Sequence, residues 1–233
     1  MISKKNCREI IKSAEENLLQ LVGEKRACHT LAVTRLAEYL AEYFKRCGAD
    51  IDVEEVRCAA LLHDAAKYMD AGELCSKYGI ELSEEDIDSP STIHAITGAY
   101  YAREEYKVPD SVFSAILKHT VGNIEMSLMD NIIFVSDYCE ETRTHKECID
   151  TRNKLLKITE MNQGSALLYL EYIKCEILFK TINHLSGKGE KIHPGTIFTL
   201  KSVLEKNNTS EEFLTLISEY RGMAEKFGLL QQR

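Results

Sequence analysis

Apolar residues recur along this chain at three- and four-residue spacing, the period of an amphipathic helix, and show no alternating runs of the kind a half-buried strand requires. Between residues 3 and 22, Ile10, Ile11, Ala14, Leu18, Leu21 and Val22 fall on one side and predict a first helix. A second is predicted over about 25–47, stopping at Gly48, a residue type that commonly ends helices in the left-handed conformation. The stretch "DVEEVRCAALLHD" opens on Asp52 with Glu55 three residues on, a capping-box-like pair ahead of an apolar run. "DAGELCSKYG" repeats that arrangement with Asp70 and Glu73, and ends at Gly79. Ser91 opens "STIHAITGAYYAREEY" and Pro109-Asp110 opens "SVFSAILKHT", both read as helix starts. Further helices are predicted from Ser127 to about Tyr138, over 163–185, from Pro194 after the loop "KGEKIHP", and over 209–229. The pattern predicts an all-α fold, with one compact domain over 1–205 and a helical extension over 206–233.

Composition narrows the field. A 44% hydrophobic fraction beside 28% charged residues is enough to build a core in a soluble protein. The net charge of -8 argues against a general nucleic-acid or membrane surface, both of which require a basic footprint. The opening "MISKKNCREIIKSAEENLLQ" is charged throughout and unlike a signal peptide, so a cytoplasmic location is expected. Eight cysteines include no Cys-x-x-Cys pair, which favours reduced, mostly buried thiols over disulfides or a zinc knuckle.

The candidate chemistry lies in histidines and aspartates at the ends of apolar runs. His29, His63, His94 and His119 each sit in an apolar helical context, and Asp64 and Asp137 adjoin apolar runs. A lone histidine of this kind is usually a satisfied core residue. Six such groups together are costly to bury unless a cation gathers them, and imidazole nitrogen with carboxylate oxygen suits iron, manganese or zinc. Basic residues accompany the set: Arg26 lies three before His29, Lys67 four after His63, and Arg143 six after Asp137. They fit a phosphate beside a metal, and each alone also fits an ordinary surface charge. Lys67 either offsets local negative charge or extends outward to water. Gly98, four residues after His94, leaves room for a ligand or for a packed helix. His184 and His193 fall outside the constellation.

"LLHDAAK" with an upstream helical His29 resembles the HD-domain phosphohydrolases, whose pattern is His…His-Asp…Asp on a helical bundle. The ordered series "RACH", "HDAAK", "HAITGA", "AILKHTVG", "SDYCEETR" and "GEKIHPGT" is similar to the YqeK family of symmetrical diadenosine tetraphosphate (Ap4A) hydrolases, over roughly residues 3–205. The resemblance implies an HD-domain helical bundle with an additional C-terminal helix. It implies His29, His63, Asp64 and Asp137 as metal ligands, and one divalent iron as the metal, with manganese or another divalent ion also suited. Arg26, His94, His119, Tyr138 and Arg143 match positions that line or adjoin the nucleotide phosphates, which His29, Asp64 and Asp137 also approach. His63, Asp64, His94 and His119 are then the groups nearest the chemical step. The implied reaction cleaves Ap4A into two ADP through a metal-bound hydroxide, with Arg26 or Arg143 on the non-bridging oxygens and either His94 or His119 assisting the leaving group.

Two departures stand out. The family segment Asp-Tyr-Ile-Glu-Pro-x-Arg here reads Asp-Tyr-Cys-Glu-Glu-Thr-Arg, and Glu141 in place of proline predicts a looser presentation of Arg143. The residues after about 205 exceed the usual family length, and packing on the bundle or a homodimer contact are both open to them. Rival readings are an HD hydrolase of another nucleotide (a nucleoside monophosphate, a cyclic nucleotide or an alarmone) and a nucleotide-sensing module without turnover.

Overall fold

The computed structural model describes residues 6–226, which form helices and turns with no strand among the described residues. Helix α1 (Cys7–Arg46) starts from Asn6, whose side chain accepts from the N–H of Arg8. It is broken at Gly23, where φ is 68° and ψ 169°, a backbone that glycine alone adopts cheaply, so the two predicted helices are present and joined end to end. Helix α2 (Val53–Leu62) is capped by Asp52, which accepts from the N–H groups of Glu54 and Glu55. Helix α3 (Ala71–Tyr78) is capped by Asp70 and ends at the left-handed Gly79. A short α4 (Glu84–Ile87) and a 3-10 turn (Pro90–Thr92) lead into α5 (Ile93–Tyr101).

The remaining chain adds α6 (Asp110–Lys118), α7 (Leu128–Cys139), α8 (Lys146–Leu155), α9 (Gln163–Gly187) and α10 (Pro194–Lys206). Two short helices, α11 (Glu211–Leu216) and α12 (Arg221–Lys226), follow. Helix α7 is the hub: every residue from Met129 to Ser136 is buried, and α1, α2, α6, α8 and α9 pack around it. Its start is fixed by a capping box in which Ser127 and Asp130 satisfy each other's backbone N–H groups. Phe44, Leu61, Leu62, Ile116, Ile132, Ile133 and Phe179 fill the space between these helices at 0–1% exposure.

The structure differs from the periodic pattern in three places. Residues 102–106 form a π-helical turn rather than a continuation of α5. Helix α8 was absent from the pattern because its buried face is Cys148, Thr151 and Leu155, with a single strong hydrophobe on that face. The single helix expected over 209–229 is α11, a 3-10 turn at Ser218–Tyr220 and α12, with 227–229 outside the described residues. Phe213, Ile217 and Ala224 of this segment join the same hydrophobic core as the other helices. All eight cysteines are free thiols; Cys58, Cys139, Cys148 and Cys175 are buried, whereas Cys28 is exposed. No helix among the described residues is long and apolar enough to cross a membrane.

Candidate metal and phosphate site

Four helix ends and one helix face converge on one cluster. His63 is the residue that ends α2, His119 the one that ends α6, and Asp137 lies in the last turn of α7. Unpaired carbonyls at helix C-termini carry partial negative charge and favour a cation there. Arg26 and His29 come from one face of α1, three residues past the Gly23 break, and His94 from the first turn of α5. A Cβ at Gly98 would meet the His63 carbonyl oxygen at 3.6 Å and Ala66 Cβ at 3.7 Å, ordinary contact distances, so this strip faces packed helix rather than open cleft.

His29, His63, Asp64, His94 and His119 are all buried. Asp64 lies between two sets of nitrogens. Its Oδ2 faces His63 Nε2 at 3.4 Å and His29 Nε2 at 3.7 Å, and its Oδ1 faces His94 Nε2 at 3.2 Å and His119 Nε2 at 3.7 Å. Asp137 Oδ1 is 3.0 Å from His29 Nε2 and 3.9 Å from His63 Nε2. The adjacent pair "HD" does converge, because helix α2 ends at Leu62 and the chain continues in turns, with the Ala65 N–H bonded to Leu62 O and the Lys67 N–H to Asp64 O.

Tautomers follow from the neighbours. His63 Nδ1 lies 2.7 Å from the Ala60 carbonyl and His119 Nδ1 2.7 Å from that of Ile116, so each donates there and presents a bare Nε2 inward. His29 Nδ1 lies 3.1 Å from Glu140 Oε1, with the same result. Buried Nε2 atoms of His29 and His63 are left without a hydrogen-bond partner, facing carboxylate oxygens. Lone pair against lone pair is repulsive in a dry interior, and a cation between them removes the conflict. Donors ~2.1 Å from a common ion lie about 3–3.5 Å apart, close to the separations seen around Asp64 and Asp137. The donor atoms of His29, His63 and Asp64 all lie within 4.8 Å of one another, as do those of Asp64, His94 and His119. The residues fit a divalent metal ion.

Burial alone would raise the Asp64 carboxyl, yet His63, His119 and His94 hold it well below the usual range. Asp137 is held low against its burial by His29, Arg143 and His63. Burial lowers His63, but Asp64 and Asp137 outweigh it and raise the ring above its ordinary value. His94 is brought down to about 4, first by burial and then by His119 and Lys67. Burial also lowers Lys67.

Beside the cluster lies a cleft of about 290 Å³ whose walls carry Arg26, Lys67, His94, His119, Tyr138 and Arg143. Arg26 Nη1 donates to Asp64 Oδ2 at 3.0 Å. Arg143 donates from Nη2 to Asp137 Oδ1 at 2.8 Å and from Nε to the Asp137 carbonyl at 3.1 Å, so it reaches the site without the proline. Lys67 points inward, its Nζ 3.0 Å from His94 Nε2, which excludes the extended alternative. His193, outside the constellation by sequence, lines the same cleft with Nε2 3.1 Å from Asp86 Oδ1; chain separation hid it. Motif spacing does not select Glu140 either, although its position three residues after Asp137 is a usable signal.

Comparison with known proteins agrees with this arrangement. Residues 26–142 match the family model described as the HD domain. The chain belongs to the HD-domain family. Within it, the chain is 36% identical over 195 residues to the symmetrical bis(5'-nucleosyl)-tetraphosphatase of Halalkalibacterium halodurans, covering 80% of this chain and 95% of that protein. It is 32% identical over 183 residues to the enzyme of the same name from Bacillus subtilis, covering 77% and 90%. Among solved structures, an HD superfamily hydrolase from Clostridium acetobutylicum, described as involved in NAD metabolism, superimposes with a TM-score of 0.72 at 28% identity, covering 84% of this chain and 97% of that one. This HD protein is a metal-dependent phosphohydrolase grouped with the YqeK-type tetraphosphatases.

Proposed function

We propose that the chain hydrolyses Ap4A symmetrically into two ADP, with residues 1–205 as the hydrolase domain and 206–233 as its helical extension. The observation that carries the reading is the pair of partnerless Nε2 atoms, on His29 and His63, aimed at two carboxylates on the floor of a cleft walled by three strong bases. In this reading His29, His63, Asp64 and Asp137 hold one divalent ion, iron by family resemblance. When bound, such an ion supplies Lewis acidity and a water ionised near neutral pH.

The chain's own groups bind and orient the polyphosphate. Three carboxylates (Asp64, Asp137, Glu140) meet three strong bases (Arg26, Lys67, Arg143), so the metal's charge tips the site positive and draws in phosphate. A guanidinium has five N–H donors; Arg26 spends one on Asp64 and Arg143 two on Asp137, leaving others for non-bridging oxygens. Those contacts hold the charge that builds during attack. His119 keeps a bare Nε2 3.2 Å from His94 Nε2, so a neutral His94 carries its hydrogen there and offers the departing ADP a hydrogen bond, not a proton, once substrate displaces that contact.

Metal-stripped protein offered Ap4A, a deoxynucleoside monophosphate, a cyclic dinucleotide and an alarmone, each with and without ferrous iron or Mn2+, tests the reading. Product is expected from Ap4A and only with metal. Turnover of another nucleotide instead would make this an HD hydrolase of different specificity, and binding of ADP without turnover would make it a sensor.

A further inference from the structure

His29 gives the cluster one ring nitrogen and the other to Glu140, a contact that the proposed chemistry does not use. Glu140 is 1% exposed and follows the last residue of α7. Both its oxygens are engaged. Oε1 lies 3.1 Å from His29 Nδ1 and accepts from Thr142 Oγ1 at 2.8 Å, while Oε2 accepts from the Thr142 backbone N–H at 2.5 Å. The backbone is pinned as well: the Glu140 N–H donates to Ser136 O at 3.0 Å, and its carbonyl accepts from the Arg143 N–H at 3.2 Å and from Arg152 Nη1 at 2.7 Å. Arg143 Nε passes 3.7 Å from Oε1.

An ionised carboxylate only accepts, so the hydrogen of a neutral His29 belongs on Nδ1 and the lone pair on Nε2, where Asp64 and Asp137 lie. Flipping the ring would break that bond and leave a buried charge short of a partner. The same side chain closes the 140–143 turn, and that turn delivers Arg143 to Asp137 without the family's proline. Glu141, at the proline position, instead pairs with Arg35 on the surface.

We infer that Glu140 is a positioning residue that couples the two halves of the site, fixing His29 for the cation and, through Thr142, Arg143 for the phosphates. The inference rests on the reading in which His29 holds the ion, and is independent of which nucleotide is cut.

The test uses the full chain with Mn2+ alone, then with ADP at saturating Mn2+. Glu140→Gln keeps shape and one acceptor, Glu140→Ala removes both oxygens, Thr142→Val removes only the hydroxyl, and Glu141→Gln is the control. Mn2+ affinity is expected to fall about 10–100-fold, towards the lower end for glutamine and the upper for alanine. Thr142→Val is expected to keep Mn2+ affinity and weaken ADP severalfold, and Glu141→Gln to change neither. In the metal-free protein, nitrogen-15 shifts should report an Nδ1–H ring at His29 that becomes a tautomer mixture in the glutamine variant. If alanine fails to fold, the glutamine and valine variants decide. Mn2+ affinity in Glu140→Gln within twofold of wild type, or an unchanged His29 tautomer, overturns the inference. Neither outcome depends on Ap4A turnover, so failure of the proposed function is read separately.

Discussion

Asp64 and Glu176 are 2% and 0% exposed, and their surroundings differ in kind. Both Glu176 oxygens are saturated by donors: Oε1 by Thr151 at 2.9 Å and Lys180 at 2.6 Å, Oε2 by Lys154 and Tyr172, each at 2.7 Å. Lys154 continues to Glu219 at 3.1 Å, so this cluster ties α8, α9 and the C-terminal segment together. Around Asp64, one guanidinium donates, the Lys67 ammonium stands 3.9 Å away, and the other neighbours are imidazole nitrogens, two of the cluster's Nε2 atoms having no hydrogen-bond partner. Burial is equal and completion is not. A buried ionic cluster that satisfies itself holds a fold together, whereas one that leaves acceptors facing acceptors is built to take a cation.

The contrast is most strongly tested by removing its functional side. Asp64→Ala and His63→Ala are each expected to lose bound metal and bring hydrolysis to background, as metal analysis and product assay will show, while helical content is retained. The structural side should respond oppositely. Glu176→Ala is expected to cost about 3 kcal/mol, the low end for breaking a buried pair because Lys154 and Lys180 keep access to water. Thermal melting should then fall by about 6–12 °C with Mn2+ affinity unchanged.

Smaller effects sharpen the boundary. Arg26→Ala and Arg143→Ala are each expected to keep the metal and weaken ADP by roughly 1.5–3 kcal/mol, about 10–150-fold by titration, through loss of charge-assisted bonds. Normal ADP binding by Arg143→Ala would mean that its work is confined to Asp137. The mildest effect is acid sensitivity. Burial would raise Glu176, but Lys154, Lys180 and Tyr172 bring it from its ordinary 4.5 down to about 2. A carboxyl lowered on folding stabilises above its unfolded value and loses that contribution as pH falls from about 4.5 towards 2, with a slope of at most ~1.4 kcal/mol per pH unit. Denaturant melts of Glu176→Gln across that window should show the shallower acid limb.

Much of this was legible in the sequence, for physical reasons. Helices α1, α2, α7, α9 and α10 carry large apolar residues at helical spacing, with caps at Asp52 and Ser127 and a first-turn proline at Pro194, so pattern and structure agree. Helix α8 escaped because a cysteine and a threonine do the work of hydrophobes, and the 209–226 segment because each of its pieces is too short to display a period. At the site, His29, His63, Asp64, His94, His119, Asp137 and Arg143 come together as spacing and resemblance led one to expect. Lys67 was undecided because the turn after His63 fixes its direction. His193 depends on a contact across 107 residues, which no local pattern encodes, and Glu140, though close to Asp137 in sequence, acts on a His29 that lies 111 residues away.

The central claim is a metal-dependent cut between the second and third phosphorus of a dinucleoside tetraphosphate. Ap4G, incubated with metal-loaded protein and resolved by chromatography, tests it most directly. The account predicts ADP and GDP in equal amounts, and none without metal. ATP with GMP, or AMP with GTP, would contradict it, because the site would then grip a different number of phosphates from the one proposed here.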